Sequence, residues 1–214
     1  MSVMDDISTL LQQGRAPKVQ AMVAQAITDG YKPKEILEDG LLAGMNIIGV
    51  KFKNGEVFVP EVLVAARAMN KGLEILKPYL AQAGVEETGI AVIGTVKGDL
   101  HDIGKNLVKM MMEGKGLKVI DLGVDVPAEK FVEAAKENNA NLICCSALLT
   151  TTMNEMKSVV NAVNVSDIRS KVKIMIGGAP ITQNFCDSIG ADSYTPDATS
   201  AAETALAYCT AAVS

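Results

Sequence analysis

The sequence predicts a two-domain α/β protein: a four-helix bundle over residues 1–86, then a doubly wound sheet of five parallel strands over 89–214. Three observations predict it. Apolar residues recur at helical spacing up to about residue 83. The period then changes across a glycine-bounded step, Gly84-Val85-Glu86-Glu87-Thr88-Gly89, which reads as a linker. Beyond it, short β-branched runs alternate with single helical segments, the pattern of parallel crossover units.

In chain order, Ile7, Leu10 and Leu11 start the first amphipathic helix, and Val19, Met22, Val23, Ala26 and Ile27 form the second, closed by Gly30. Pro33 suits the first turn of a third helix, which carries Leu37, Leu41, Met45 and Ile48 on one face. Pro60 opens a fourth, with Val62, Ala66, Met69, Leu73 and Leu76 at helical spacing and Pro78 in its last turn. Short joins between four helices make a bundle. The break at 51–59 places Phe52, Phe58 and Val59 where polar residues belong. It is either a staple onto the bundle core or an apolar lid over something else. Strands follow at 90–95, 117–122, 141–146 and 173–176, with a weaker one at 192–195.

The totals narrow the function classes. With 214 residues, 49% of them hydrophobic and 21% charged, the chain can bury a real core. A net charge of −5 without a basic cluster argues against a nucleic-acid surface. No apolar run approaches the roughly 20 residues of a membrane span, and the acidic start, Met-Ser-Val-Met-Asp-Asp, is not that of a signal peptide. A cytoplasmic protein with neither nucleic acid nor membrane as partner is expected. Cys144, Cys145, Cys186 and Cys209 include no Cys-x-x-Cys, and adjacent strand residues point to opposite faces. They are read as plain buried thiols.

The first strand runs into Gly-Thr-Val-Lys-Gly-Asp-Leu-His-Asp-Ile-Gly at 94–104, ahead of a helix over 105–113. Loops at the carboxyl ends of parallel strands are where open α/β sheets bind ligands. This one holds His101, the only histidine, two residues after Asp99 and three before Gly104. A neutral imidazole can bind a metal through one nitrogen while a carboxylate takes the proton of the other. A bare Asp-x-His also describes an ordinary loop histidine, and a free zinc ion would need several protein ligands. A single ligand suffices when the metal arrives in a macrocycle, as in haem or a corrin. No Cys-x-x-Cys-His haem attachment is present. Gly177 and Gly178 directly follow the fourth strand, so backbone there can approach a neighbour or a ligand closely.

Three motifs thus occur in order, each at the carboxyl end of a predicted strand: Asp-x-His-x-x-Gly at Asp99, His101 and Gly104, Ser-x-Leu at Ser146 and Leu148, and Gly177-Gly178. With Gly-Met-Asn-Ile-Ile-Gly at 44–49 and Gly-Glu-Val-Phe-Val-Pro-Glu-Val at 55–62, nearly the whole chain resembles the cobalamin-binding module of methionine synthase and the small corrinoid proteins of methyltransferase systems. The resemblance implies a helical cap on a flavodoxin-like (Rossmann-like) domain holding cobalamin or a related corrinoid, with the cofactor's own base off cobalt and His101 on. It makes His101 the metal ligand and Asp99 its hydrogen-bond partner. Thr152 stands where methionine synthase has the serine of this relay, keeping the hydroxyl with a more restricted rotamer. Asp102, Ile103 and Gly104 complete the loop's share of the cofactor site. Ser146, Leu148, Thr150, Gly177 and Gly178, with Ala179 and Tyr194, would flank the displaced nucleotide tail, and Phe52, Val59 and Val62 would cover the upper corrin face.

The function so implied is methyl carriage: cobalt(I) accepts a methyl group from a substrate held by one methyltransferase, and methyl-cobalt(III) passes it to a second that serves tetrahydrofolate or a thiol. A reductive activase is the third implied partner. The chain would be a cofactor-bearing subunit rather than a stand-alone catalyst. Two alternatives remain, a mutase subunit that shares the histidine motif and a regulator that can have both cap and sheet. A carbon-skeleton mutase subunit resembles only the sheet domain, and a cobalamin-dependent regulator carries an additional DNA-binding domain.

Overall fold

The computed structural model describes residues 2–85 and 88–211. Glu86 and Glu87 of the expected linker, and the domain limits at 86 and 214, lie outside the described residues. The chain divides into two compact units, residues 1–87 with 114–116, and residues 88–113 with 117–214.

In the helical unit, α1 (Val3–Gln12) is opened by Ser2, whose hydroxyl accepts the Asp5 N–H at 3.1 Å while the Asp5 carboxylate takes the Ser2 N–H at 2.8 Å. This reciprocal cap satisfies two donors that a helix start otherwise leaves open. α1 buries Met4, Ile7 and Leu11, and α2 (Ala16–Thr28) buries Val19, Val23 and Ala26. The third predicted helix is longer than its periodicity suggests. α3 (Pro33–Glu35) passes through a π-helical stretch, Ile36–Leu42, into α4 (Ala43–Lys53) without a break. The extra residue per turn sets Ile36, Gly40 and Leu41 inward. α5 (Val59–Gln82) starts at Val59, with Pro60 in its first turn and Pro78 accommodated near its end. The break therefore shrinks to 54–58: Phe52 is helical, and Val59 begins the next helix.

In the second unit, β1 (Ile90–Thr95), β2 (Lys118–Asp121), β3 (Leu142–Ser146), β4 (Lys173–Gly177) and β5 (Ser193–Tyr194) form one parallel sheet in the order β2-β1-β3-β4-β5. All five predicted strands are present, the last only two residues long. α6 (Ile103–Glu113) packs with α10 (Ala198–Ala211), and α7 (Ala128–Glu137) with α8 (Met153–Asn164), which in turn touches α9 (Gln183–Ile189). Because side chains alternate along a strand, the sheet builds two interiors. Val92, Ile143, Cys145, Ile174 and Ile176 join Phe131, Met156 and Val160 in one core. Ile93, Cys144 and Met175 stand in direct register on the other face. Two residues further along that face the register row reads Thr95, Ser146, Gly177. Side chains thus shrink towards the carboxyl ends, which leaves room there. β1 and β3 are adjacent although β2 intervenes in sequence, so their carboxyl ends form the switch point where such sheets open a crevice.

The histidine loop and its cavity

Asp99 is fully buried and organises the loop after β1. Its Oδ1 lies 2.7 Å from His101 Nδ1 and accepts the His101 backbone N–H at 3.0 Å. Its Oδ2 accepts from Leu148 N at 2.8 Å, Leu149 N at 3.2 Å and the Thr152 hydroxyl at 2.9 Å. Burial alone would push this carboxyl up, but the hydrogen bonds from Leu148, His101 and Thr152 outweigh it and hold Asp99 well below the usual carboxylate range. An ionised Asp99 accepts only, so in the neutral imidazole Nδ1 is the protonated nitrogen and Nε2 carries the lone pair. The imidazole is about half exposed. Thr152 ends the turn before α8, and its one proton is also within reach of Leu149 O at 3.0 Å.

The loop is held from other sides too. Thr95, fully buried, donates its hydroxyl to the His101 carbonyl at 2.8 Å. The following βα loop contributes Asp125, whose N–H reaches Asp99 O at 3.0 Å and whose Oδ1 accepts from Gly98 N at 2.7 Å. At the start of α6, Lys105 is buried, with Nζ on Asp121 Oδ1 at 2.6 Å and Asn106 Oδ1 at 2.8 Å. Burial opposes ionisation of Asp121, yet Lys105, the Gly123 N–H and Lys109 together lower its pKa.

His101 stands on the wall of a cavity of about 680 Å³ between the carboxyl half of the sheet and α6 and α10. Ile93, Cys144 and Met175 line it from the sheet, and Leu107, Val108, Met112 and Ala201 from the helices. Burial pushes the Cys144 thiol up to about 12, so it remains a neutral wall group. Of the residues expected at a cofactor, Asp102, Ile103, Gly104, Ser146, Leu148, Gly177, Gly178, Ala179 and Tyr194 also line this space. Thr150 sits in the exposed turn beyond β3 and does not.

The two glycine motifs differ in origin. A β-carbon on Gly178, at φ +139°, would overlap the Ala147 carbonyl oxygen, so the chain's own backbone demands glycine there. A β-carbon on Gly104 would meet no protein atom within 4 Å. Nothing in the protein requires that glycine; it leaves open the space in front of the loop. Leu100 and Ile103, 71% and 76% exposed, put apolar surface beside the imidazole. A flat, largely apolar group with one open coordination position suits this arrangement, whereas no cluster of His, Cys, Asp and Glu among the described residues could hold a free ion.

In the helical unit, Val62 is completely buried and Phe52 and Val59 are partly buried, while Phe58 is 67% exposed. Sequence reasoning singled out neither Thr95, Lys105 and Asp125 nor the floor row Ile93, Cys144 and Met175. The floor row could have been found from the two-residue period of each strand. Asp125 and Lys105 act through contacts that only the fold creates.

Residues 89–206 match the B12 binding domain family, and residues 3–77 match a second family also described as a B12 binding domain. The chain is 48% identical over 171 residues, 79% of its length and 80% of the relative's, to dimethylamine corrinoid protein 2 of Methanosarcina mazei. It is 45% identical over 180 residues, 83% of both, to trimethylamine corrinoid protein 1 of the same organism. A chain of the crystal structure of the methanol:cobalamin methyltransferase complex MtaBC from Methanosarcina barkeri superposes with a TM-score of 0.87 at 30% identity, covering 97% of this chain and 80% of that one. No helix of the described residues is long and apolar enough to cross a membrane.

Proposed function

The chain belongs to the B12-binding family of corrinoid proteins, and from that premise we propose that it is the methyl carrier of a methylamine-type methyltransferase system, binding its corrinoid with the cofactor's base off and His101 on. The observation that carries this reading is His101 at the cavity wall, with Nδ1 committed to a buried, ionised Asp99 and Nε2 free to coordinate. Asp99 fixes the tautomer and orientation of the imidazole and strengthens its donation. Thr152 and the Leu148 and Leu149 amides fix Asp99 in turn. The small residues Ser146, Gly177 and Ala179, with Tyr194, line the cavity and would hold the nucleotide tail of a bound corrinoid there. The corrin's cobalt, when bound, supplies the methyl-group exchange itself.

The partners follow from this role: a methyltransferase that loads the methyl group, one that unloads it to tetrahydrofolate or a thiol, and a reductive activase. Phe52 and Val59, both partly exposed, are the groups we assign to shielding the reactive face; Val62, expected beside them, is completely buried and has no free surface for that role. High identity to dimethylamine and trimethylamine corrinoid proteins supports an N-methylated amine as the donor class. The test is reconstitution with cobalamin. The cobalt(II) form of the unmodified protein should show an axial nitrogen in its EPR spectrum, and His101→Ala should lose it. An unchanged nitrogen splitting in His101→Ala would remove His101 as the ligand.

A further inference from the structure

Asp125 is one of two non-glycine residues among those described with positive φ, at +54°. The left-handed conformation is unfavourable for any residue with a β-carbon, although aspartate tolerates it better than most. What holds it is the histidine loop. The Asp125 N–H donates to the Asp99 carbonyl at 3.0 Å, and its Oδ1 accepts the Gly98 N–H at 2.7 Å. One residue thus grips the amide before Asp99 and the carbonyl after it. The neighbouring Val126 anchors the grip, because it bridges Val96 and donates to the Thr95 carbonyl at 3.0 Å. The Asp99 carboxylate is held from the loop after β3, and its backbone from the loop after β2.

Without the Asp125 grip, the Asp99 backbone would be held by its own N–H bond to the Val96 carbonyl at 3.1 Å, and residues 98–99 could shift about the side-chain anchor and carry His101 with them. We propose that Asp125 is a positioning residue for the axial ligand: by clamping the Gly98–Asp99 backbone through its left-handed turn, it sets where the His101 imidazole stands and so the fraction of it bound to cobalt. This rests on the reading of His101 as that ligand.

Two substitutions separate the clamp from simple stability. Asp125→Gly relieves the left-handed backbone and keeps the N–H, but removes the acceptor for Gly98. Asp125→Asn keeps an Oδ1 acceptor in a side chain that also tolerates positive φ. The full chain is loaded with cobalamin, reduced to cobalt(II), and the ratio of histidine-bound to unbound signal is read by EPR on samples frozen from a rising series of temperatures, so that the unbound fraction becomes measurable. Asp125→Gly should unfold at nearly the unmodified denaturant midpoint, yet its bound-to-unbound ratio should fall about two- to tenfold, the worth of one hydrogen bond. Asp125→Asn should restore the unmodified ratio. An unchanged ratio in Asp125→Gly overturns the proposal. So does an Asn variant as impaired as the Gly variant, since charge rather than the clamp would then be acting. A His101→Ala control run alongside keeps the two readings apart. If it retains the nitrogen signal, the ligand assignment falls and this proposal with it. If it loses the signal while Asp125→Gly matches the unmodified protein, only the clamp falls.

Discussion

The loop after β1 and the turn between α4 and α5 are both short connections with one glycine each, and they are built in opposite ways. Asp99 is tied to Leu148, Leu149 and Thr152, residues 49, 50 and 53 positions away. The α4–α5 turn closes on itself, with Gly55 N on Phe52 O, Glu56 N on Lys51 O and Phe58 N on the Glu61 carboxylate. Asp99 is wholly buried, and Phe58 is 67% exposed. A connection held by distant elements cannot move without opening the fold, whereas one held by its own neighbours can move at little cost. The first suits a metal ligand that must stand in one place; the second suits a surface that adapts to a visitor.

Substitutions should expose this contrast in graded steps, each read as the free energy of unfolding in denaturant. Gly178→Ala, which drives a β-carbon into the Ala147 carbonyl in a conformation alanine avoids, should cost about 4 kcal/mol or more. Asp99→Ala removes the acceptor of the His101, Leu148 and Leu149 amides, while the Thr152 hydroxyl can fall back on Leu149 O, and it should cost about 3 kcal/mol. A loss under about 0.5 kcal/mol, the range of ordinary surface changes, would break the contrast.

Asp121→Asn should cost about 1–2 kcal/mol at neutral pH, because it weakens the hold on buried Lys105. Its pH dependence has a definite sign. The Asp121 pKa is lowered on folding, so its stabilisation is complete above the ordinary carboxylate value of about 4 and fades as pH falls through the lower folded value. The two proteins should therefore converge in acid, and a gap that widened there would contradict the assignment. Gly104→Ala should leave stability within about 1 kcal/mol, favouring the variant if anything, because alanine suits a helix start better than glycine. It should nonetheless weaken cobalamin binding in a spectrophotometric titration if, as proposed, the open space it fills is the ligand's. Smallest of all, Phe58→Ala should shift stability by less than about 0.5 kcal/mol.

Much of this was legible in the sequence, and the limits have physical causes. The strands were readable because β-branched runs bounded by glycines leave few alternatives, as at Ile90–Thr95. The histidine loop was readable because Asp99, His101 and Gly104 are close in sequence. The π-helical stretch was not, since Ile36–Leu42 keeps enough apolar residues to pass for ordinary helix. Gly104 and Gly178 look alike as letters, and only the fold separates a glycine demanded by backbone from one that leaves room for a ligand. Asp125 was invisible because its partners, Gly98 and Asp99, lie 27 and 26 positions back.

Preorganisation of the histidine loop is tested most directly by amide hydrogen exchange, followed by NMR in the cofactor-free protein. The His101 and Leu148 amides, both bonded to the buried Asp99 carboxylate, should exchange as slowly as those of β1 and β3, while Gly55 and Glu56 exchange orders of magnitude faster. His101 and Leu148 amides exchanging as fast as Gly55 and Glu56 would mean that the ligand is assembled only when the corrinoid arrives.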